Sequence, residues 1–257
     1  MTERGMIFNG EMVRALLDGR KTQTRRIVKG TDGAMKFCKE WDINGKEVFV
    51  VLGEKDHTGM NPVLGAISCP FGAVGDRIWV RETWATLGNE DGCCIDWEGN
   101  LCKGDERSAA RIYRASCEQR PGDYGLWSIP DDAYWKPHTK EHKFEGAWRP
   151  SIHMPRWASR ILLEITDVRV ERLNAISPED AESEGLERTN FTGFGDEPGL
   201  PSYPEPDVYF DPLKKQWKEY PPEAFAGLWE SIYGEGSWLA NPWVWVIEFK
   251  RVEGGAA

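Results

Sequence analysis

Between residues 20 and 26 the chain reads Arg-Lys-Thr-Gln-Thr-Arg-Arg, placing one amine, two hydroxyls and three guanidinium groups within seven positions. Cations and hydroxyls at this density suit a compact anionic ligand or a few nucleotides; the alternative is a solvated charged face with no ligand. A carboxylate stands out on its own, because Glu82 alternates with Ile78, Val80 and Trp84 and so points where apolar neighbours point. On a buried face it needs either an arginine of the same core as ion-pair partner or a role in chemistry. Metal ligation is a weaker reading. His138-x-x-x-His142 would align two rings on a helix, but Pro137, Thr139, Lys140 and Glu141 indicate a solvated loop or short turn, so no metal is expected. The six cysteines, Cys38, Cys69, Cys93, Cys94, Cys102 and Cys117, form no CxxC pair and read as reduced thiols. Neither a phosphate-binding GxxxxGK[ST] loop nor a Rossmann glycine pattern occurs, so ATP, NAD and other cofactors are not expected.

Local signals indicate which elements must position these groups. Asn9 can cap a helix whose apolar positions Val13, Leu16 and Leu17 recur at i, i+3 and i+4, and Gly19 supplies its left-handed stop. The basic segment that follows, with its β-branched threonines, predicts a loop entering a strand that carries its functional groups outward. A turn at Gly75-Asp76 leads into a strand from Arg77 to Trp84, and a longer strand is expected from Arg160 to Arg172. Ser177-Pro-Glu-Asp180 opens a helix with Ser177 as cap, Pro178 at the first position and Asp180 able to close a capping box; Glu182 and Glu184 follow on it. Phe225, Leu228, Trp229 and Ile232 mark an amphipathic helix stopped at Gly234. A last core strand from Trp243 to Phe249 sets Trp243, Trp245, Ile247 and Phe249 on one face.

Around these elements the composition is that of an ordinary globular protein of 257 residues, 40% apolar and 29% charged. One large domain or two small ones would fit. Without a long apolar run or a secretory h-region, neither membrane spanning nor export is indicated, and the cytoplasm is the expected compartment. Thirteen Trp residues call for an aromatic core or groove. Formal net charge is -10, which argues against wrapping a long duplex by a broad basic face. The charge is uneven: residues 1–29 hold seven bases against three acids, whereas residues 173–240 hold four bases against fourteen acids. A small basic focus on an acidic body fits a compact anionic ligand or a few nucleotides better than a long duplex. Residues 86–148, with Trp97, Trp127, Trp135 and Trp148, read as an insertion packed on by aromatics. Strands separated by short helices without βαβ regularity predict an α+β fold built on a small mixed β-barrel rather than a doubly wound sheet.

The helix followed by Gly19-Arg-Lys-Thr-Gln-Thr-Arg-Arg26 resembles the G-x-K-x-x-T-x-R signature of ASCH domains, a branch of the PUA-like superfamily associated with RNA and modified nucleosides. Three further pieces follow in the family's order: Gly75-Asp76 to Val80, Leu163 to Val170 with the helix at 176–186, and Trp245 to Lys250. The resemblance implies a single PUA-like domain over 1–257 with rim helices and insertions at about 30–70, 86–148 and 187–238. The whole is similar to large ASCH-containing proteins of phages and prophages. One bacterial group of small ASCH proteins hydrolyses the acetyl amide of N4-acetylcytidine with a Lys and a Thr of the signature and a Glu of the later helix. Lys21, Thr24 and Glu184 stand at the matching places, as base, nucleophile or water-positioning group, and proton shuttle. Like charges at Arg20, Arg25 and Arg26 would push Lys21 toward its neutral form and favour an oxyanion. Arg20, Arg25, Arg26, Glu82 and Trp84 are the expected substrate-binding residues. The implied partner is a nucleoside or short single-stranded nucleic acid, read with or without hydrolysis. In the alternative, the acidic insertions occupy a host protein that handles nucleic acid.

Overall fold

The computed structural model describes residues 1–89, 93–120, 123–124, 148–189 and 208–252. In chain order the first half contains β1 (Glu3–Ile7), α1 (Gly10–Leu17), β2 (Gln23–Ile27), β3 (Lys36–Trp41), β4 (Glu47–Leu52), β5 (Val63–Ile67), β6 (Arg77–Arg81) and β7 (Trp84–Thr86). It continues with β8 (Arg111–Tyr113), α2 (Arg114–Cys117), β9 (Glu118–Arg120), β10 (Asp123–Tyr124), β11 (Leu162–Arg172), α3 (Pro178–Ser183) and β12 (Arg188–Thr189). β13 (Val208–Asp211), β14 (Gln216–Lys218), α4 (Pro221–Tyr233) and β15 (Trp243–Arg251) complete it. This is a mixed α+β protein, mostly strands with few helices. Among the described residues no helix is long and apolar enough to cross a membrane.

The chain divides into two compact units, each assembled from separated segments. The first comprises Met1–Leu17, Asp76–Glu164 and Arg251–Ala257. In it β1 runs parallel to β6, and β6 pairs antiparallel with the opening residues of β11, Leu162 to Glu164. Helix α1 starts as expected: Asn9 Oδ1 accepts from Met12 N at 2.8 Å, and Met12, Val13, Ala15 and Leu16 are buried. Gly19 follows with φ of 75°, which only glycine adopts readily. The expected 77–84 strand is broken in two, β6 and β7, yet Ile78, Val80, Glu82 and Trp84 are all buried. Trp84 joins Ile112, Tyr113 and Met154 in an apolar cluster flanked by Trp97, Trp148 and Trp157. That is how aromatics pack the described part of the 86–148 insertion; Trp127 and Trp135 lie outside the described residues.

The second unit comprises Asp18–Gly75 and Ile165–Lys250. Here β15 lies between β11 and β2, antiparallel to β2 in the register Val244↔Ile27 to Glu248↔Gln23. Its residues 244–247 are all buried, so β15 is covered on both faces, as the expected core strand. Residues 36–67, expected only as part of an insertion, form the antiparallel meander β3-β4-β5. Trp243 meets the edge of Phe37 at 4.9 Å and donates from Nε1 to Ala34 O at 3.1 Å, while Trp245 meets Phe49 at 5.0 Å. β12, β13 and β14 form a second small sheet, and α4 packs with Leu173, Ile176, Val244 and Val246. Helix α4 ends at Gly234 as expected, but Ile232 is exposed, so the apolar stripe runs through Phe225, Leu228 and Trp229 without it. The strand pairing among the described residues is open: the sheets do not close into the expected barrel.

Candidate functional site

Local chemistry brings the basic segment and α3 together in the second unit. Ser177 Oγ accepts from Asp180 N at 3.1 Å and starts α3, Glu184 ends it, and Gly185 turns the chain with φ of 88°. The chain end so formed pairs with the segment before β2: Lys21 and Glu184 make an antiparallel bridge, and Thr22 N donates to Ser183 O at 2.9 Å. Arg20 reaches over the same turn, donating from Nη1 to Gly185 O at 2.9 Å and Leu186 O at 3.1 Å. Both acceptors lie past the end of α3, so Arg20 ties down the turn that follows the helix.

Beside this turn lies a ladder of charge, buried at Lys21, Arg25 and Glu184 and partly exposed at Arg169, Glu171, Asp180 and Glu248. Lys21 Nζ donates to Glu184 Oε2 and to Glu184 O, each at 2.7 Å, and the two side chains are 0% and 2% exposed. Arg25 donates from Nη1 to Glu184 Oε1 at 3.2 Å and from Nη2 to Asp180 Oδ2 at 2.8 Å. Gln23 sits between them, its Oε1 accepting from Arg25 Nη1 and its Nε2 donating to Asp180 Oδ1 at 3.1 Å and Glu248 Oε1 at 3.2 Å. Arg169, from β11, closes the ladder on Asp180 Oδ2 at 2.8 Å, on Glu171 Oε1 at 2.6 Å and on Glu248. Phe225 lies against Arg25, its ring centroid 5.8 Å from the guanidinium carbon. Lys21, Arg25 and Arg169 thus face Glu171, Asp180, Glu184 and Glu248, so the cluster is close to neutral, the condition under which ions tolerate burial.

The electrostatics follow from that geometry. Burial pushes the Lys21 ammonium below its ordinary value and is only partly opposed by Glu184, with Arg26 and Arg25 adding to the depression. The expected direction is the one found, though desolvation rather than like charge is its main cause. Burial works against the Asp180 carboxylate, yet bonds from Gln23 and Arg25 and the charge of Arg169 hold it below the usual aspartate range.

Two expectations are corrected here. The segment was expected to carry its groups outward, but Lys21, Gln23, Thr24 and Arg25 are all buried, because α3 and β11 supply enough carboxylates to neutralise the cations. Asp180 was expected to complete a capping box, but its carboxylate serves Gln23, Arg25 and Arg169 instead. Lys21, Arg25 and Glu184 are brought together, with Arg20 on the turn above. Thr24 and Arg26 alternate with this set along β2, which puts them on the other face of the strand. Gln23, Arg169 and Glu248 were missed. Gln23 was within reach of the sequence, since positions 21, 23 and 25 share the period of a strand; Arg169 and Glu248 sit in separate strands whose pairing no local signal reveals.

Glu82 and Trp84 belong to the first unit. Glu82 has the core arginine that its burial requires: Arg160 donates to it from Nε at 2.8 Å and from Nη2 at 2.9 Å. Arg160 Nη2 also donates to Ser116 Oγ at 2.9 Å, and its guanidinium carbon lies 4.1 Å from the Tyr113 ring centroid. Burial opposes the Arg160 charge, but Glu82 overcomes it and raises the group above its ordinary value. A cavity of about 400 Å³ opens beside Glu82, lined by Phe8, Asn9, Gly10, Arg114 and Glu118 among others. Trp84 is 1% exposed and lies within the apolar cluster, where the Arg149 guanidinium carbon covers it at 4.9 Å. His138 and His142 lie outside the described residues. No family model, curated protein or solved structure matches the chain.

Proposed function

We propose that this is an ASCH-type, PUA-like protein that binds a nucleoside or a short single-stranded nucleic-acid element. The observation that carries the reading is the Lys21–Glu184 pair, an amine and a carboxylate 163 residues apart that meet at 2.7 Å with almost no exposed surface. These are two of the positions that the resemblance singles out. An ion pair this deep is weak evidence for stability, since a well-packed apolar pair of similar volume is often as stable. Perturbed, desolvated titratable groups concentrate at functional sites. A cavity of about 400 Å³, the size of a small-molecule pocket, opens beside Glu82 in the first unit and is lined by neither Lys21 nor Glu184, so it is a second place where a small ligand could bind rather than part of the Lys21–Glu184 site.

Hydrolysis of an N4-acyl cytosine amide is the chemical extension of this reading. Burial favours the neutral amine of Lys21, and in that form Lys21 would take a proton from the attacking water as its oxygen bonds to the acyl carbon. Glu184 would pass that proton to the exocyclic nitrogen as the carbon–nitrogen bond breaks, releasing cytidine and acetate. Thr24, on the other face of β2, stands apart from that relay, so the water route is the one favoured over a threonine nucleophile.

A panel of free and N4-acylated nucleosides and short oligonucleotides, scored for retention and for mass change, tests both halves. Retention of at least one member by the full chain is expected, with turnover of N4-acetylcytidine lost in Lys21→Met and kept in Thr24→Ala. Neither retention nor mass change anywhere in the panel refutes the reading. A second reading, a protein partner, is favoured by one observation: Met35, Trp41, Met60, Val63 and Leu64 are each more than half exposed on or beside the β3-β4-β5 meander. A partner lost in Trp41→Ser while nucleoside retention is unchanged would separate the two.

A further inference from the structure

We infer that Cys94 and Cys102 form a redox-active dithiol, reduced at rest and closed to an intramolecular disulfide by exchange with a small-molecule disulfide. Ile95 and Leu101 face each other as an antiparallel bridge in the first unit, flanked by Cys102 N donating to Cys94 O at 3.0 Å and Asp96 N donating to Asn100 O at 2.9 Å. That register sets Cys94 directly opposite Cys102. Directly opposed side chains leave the same face of an antiparallel pair with Cβ atoms ~4.5–5.5 Å apart. Their Cα atoms, at a hydrogen-bonded position, are ~5.5 Å apart, inside the ~4.4–6.8 Å that a disulfide spans, and a small approach of the two strands brings the Cβ atoms to the ~3.5–4.5 Å that it needs.

The surroundings fix that register and leave the thiols reachable. Asp96 Oδ1 accepts from Glu98 N at 3.0 Å and from Asn100 N at 2.8 Å, and Gly99 adopts φ of 86°, so the turn between the two cysteines is tied. On its other side Cys94 is bridged to Gly88, which has no side chain to fill the space beside it. Both thiols make only long contacts, Cys94 Sγ to Thr86 Oγ1 at 3.8 Å and Cys102 Sγ to Asn100 O at 3.9 Å, and both cysteines are half-buried. Desolvation, then the charges of Asp96, Cys94 and Asp105, raise the Cys102 thiol above its ordinary value, so it exchanges faster as pH rises. In the first step one cysteine thiolate attacks the small disulfide and expels one of its halves as a thiolate. The second cysteine then attacks the mixed disulfide and expels the other half. In balance, two protein thiols and one disulfide give one protein disulfide and two small thiols, with no other oxidant required.

The test incubates the full chain with oxidised glutathione and cleaves it unreduced after Glu98, which separates Cys94 from Cys102. The two fragments should remain joined and come apart with dithiothreitol. The join should persist in Cys93→Ser and vanish in Cys102→Ser, which leaves Cys94 as a glutathione adduct. Loss of the join in Cys93→Ser, or glutathione on both Cys94 and Cys102 of the same molecule without a join, would overturn the assignment.

Discussion

The Lys21 ammonium, with no exposed side-chain surface, is stabilised against its burial chiefly by the carboxylate beside it. Removing that carboxylate in Glu184→Gln leaves a buried cation facing a neutral amide, for which a loss of about 3–5 kcal/mol in denaturant-measured stability is expected. Adding Lys21→Met removes the stranded charge as well, so the double variant should be more stable than Glu184→Gln alone; additive losses would show that the two groups do not interact. Asp180 makes a pH prediction. Its folded-state value lies below the ordinary 3.8, so it contributes stability that is present above that value and lost as pH falls through the lower one. Asp180→Asn should therefore be less stable at neutral pH and flatter in its acid limb below pH 3.8, as thermal unfolding across an acid series would register. Lys21 and Glu184 were legible because a motif and a cap placed them. Their depth was not, since it depends on Arg169 and Glu248 arriving from strands far along the chain.

At the scale of elements, the helices were read well because their signals are local. Asn9 caps α1 and Ser177 caps α3 through the bonds their residue types suggest, and replacing either with alanine should cost about 1 kcal/mol. Helix α4 carries a less obvious constraint. Glycine inside a helix costs about 1 kcal/mol relative to alanine, so Gly227→Ala would stabilise an isolated helix. Here a Cβ on Gly227 would collide with the Asp211 carboxylate, a buried group fixed by Leu213 N and Lys214 N at 2.9 and 3.0 Å. Overpacking of that kind costs about 1–3 kcal/mol, so Gly227→Ala should lower the denaturation midpoint; a raised midpoint would mean that Asp211 moves freely. The short strands were the poorly read elements. β3-β4-β5 and β12-β13-β14 are held by pairing between segments, whereas the apolar run Trp243 to Ile247 marked β15 as a core strand.

Across the whole molecule, the α+β character and predominance of strands were legible from patterning. The open sheets were not, because closure depends on which strands become neighbours, a long-range choice that periodicity leaves undetermined. Burial also sorts the thiols: Cys117 is pushed up to about 12, whereas Cys93 is exposed. Iodoacetamide at pH 8 should label Cys93 in the folded chain and reach Cys117 only on unfolding. The net charge of -10, with its basic focus beside α3, sets an ionic-strength expectation: nucleic-acid affinity should fall only modestly with salt, since few phosphates can be neutralised. The central claim, that the chain carries a nucleoside site built around Lys21 and Glu184, is tested most directly by calorimetric titration of the full chain with cytidine and N4-acetylcytidine. Saturable heat for the wild type, weakened in a folded Lys21→Met variant, is the predicted result; equal heats for the two proteins, or none for either, would contradict it.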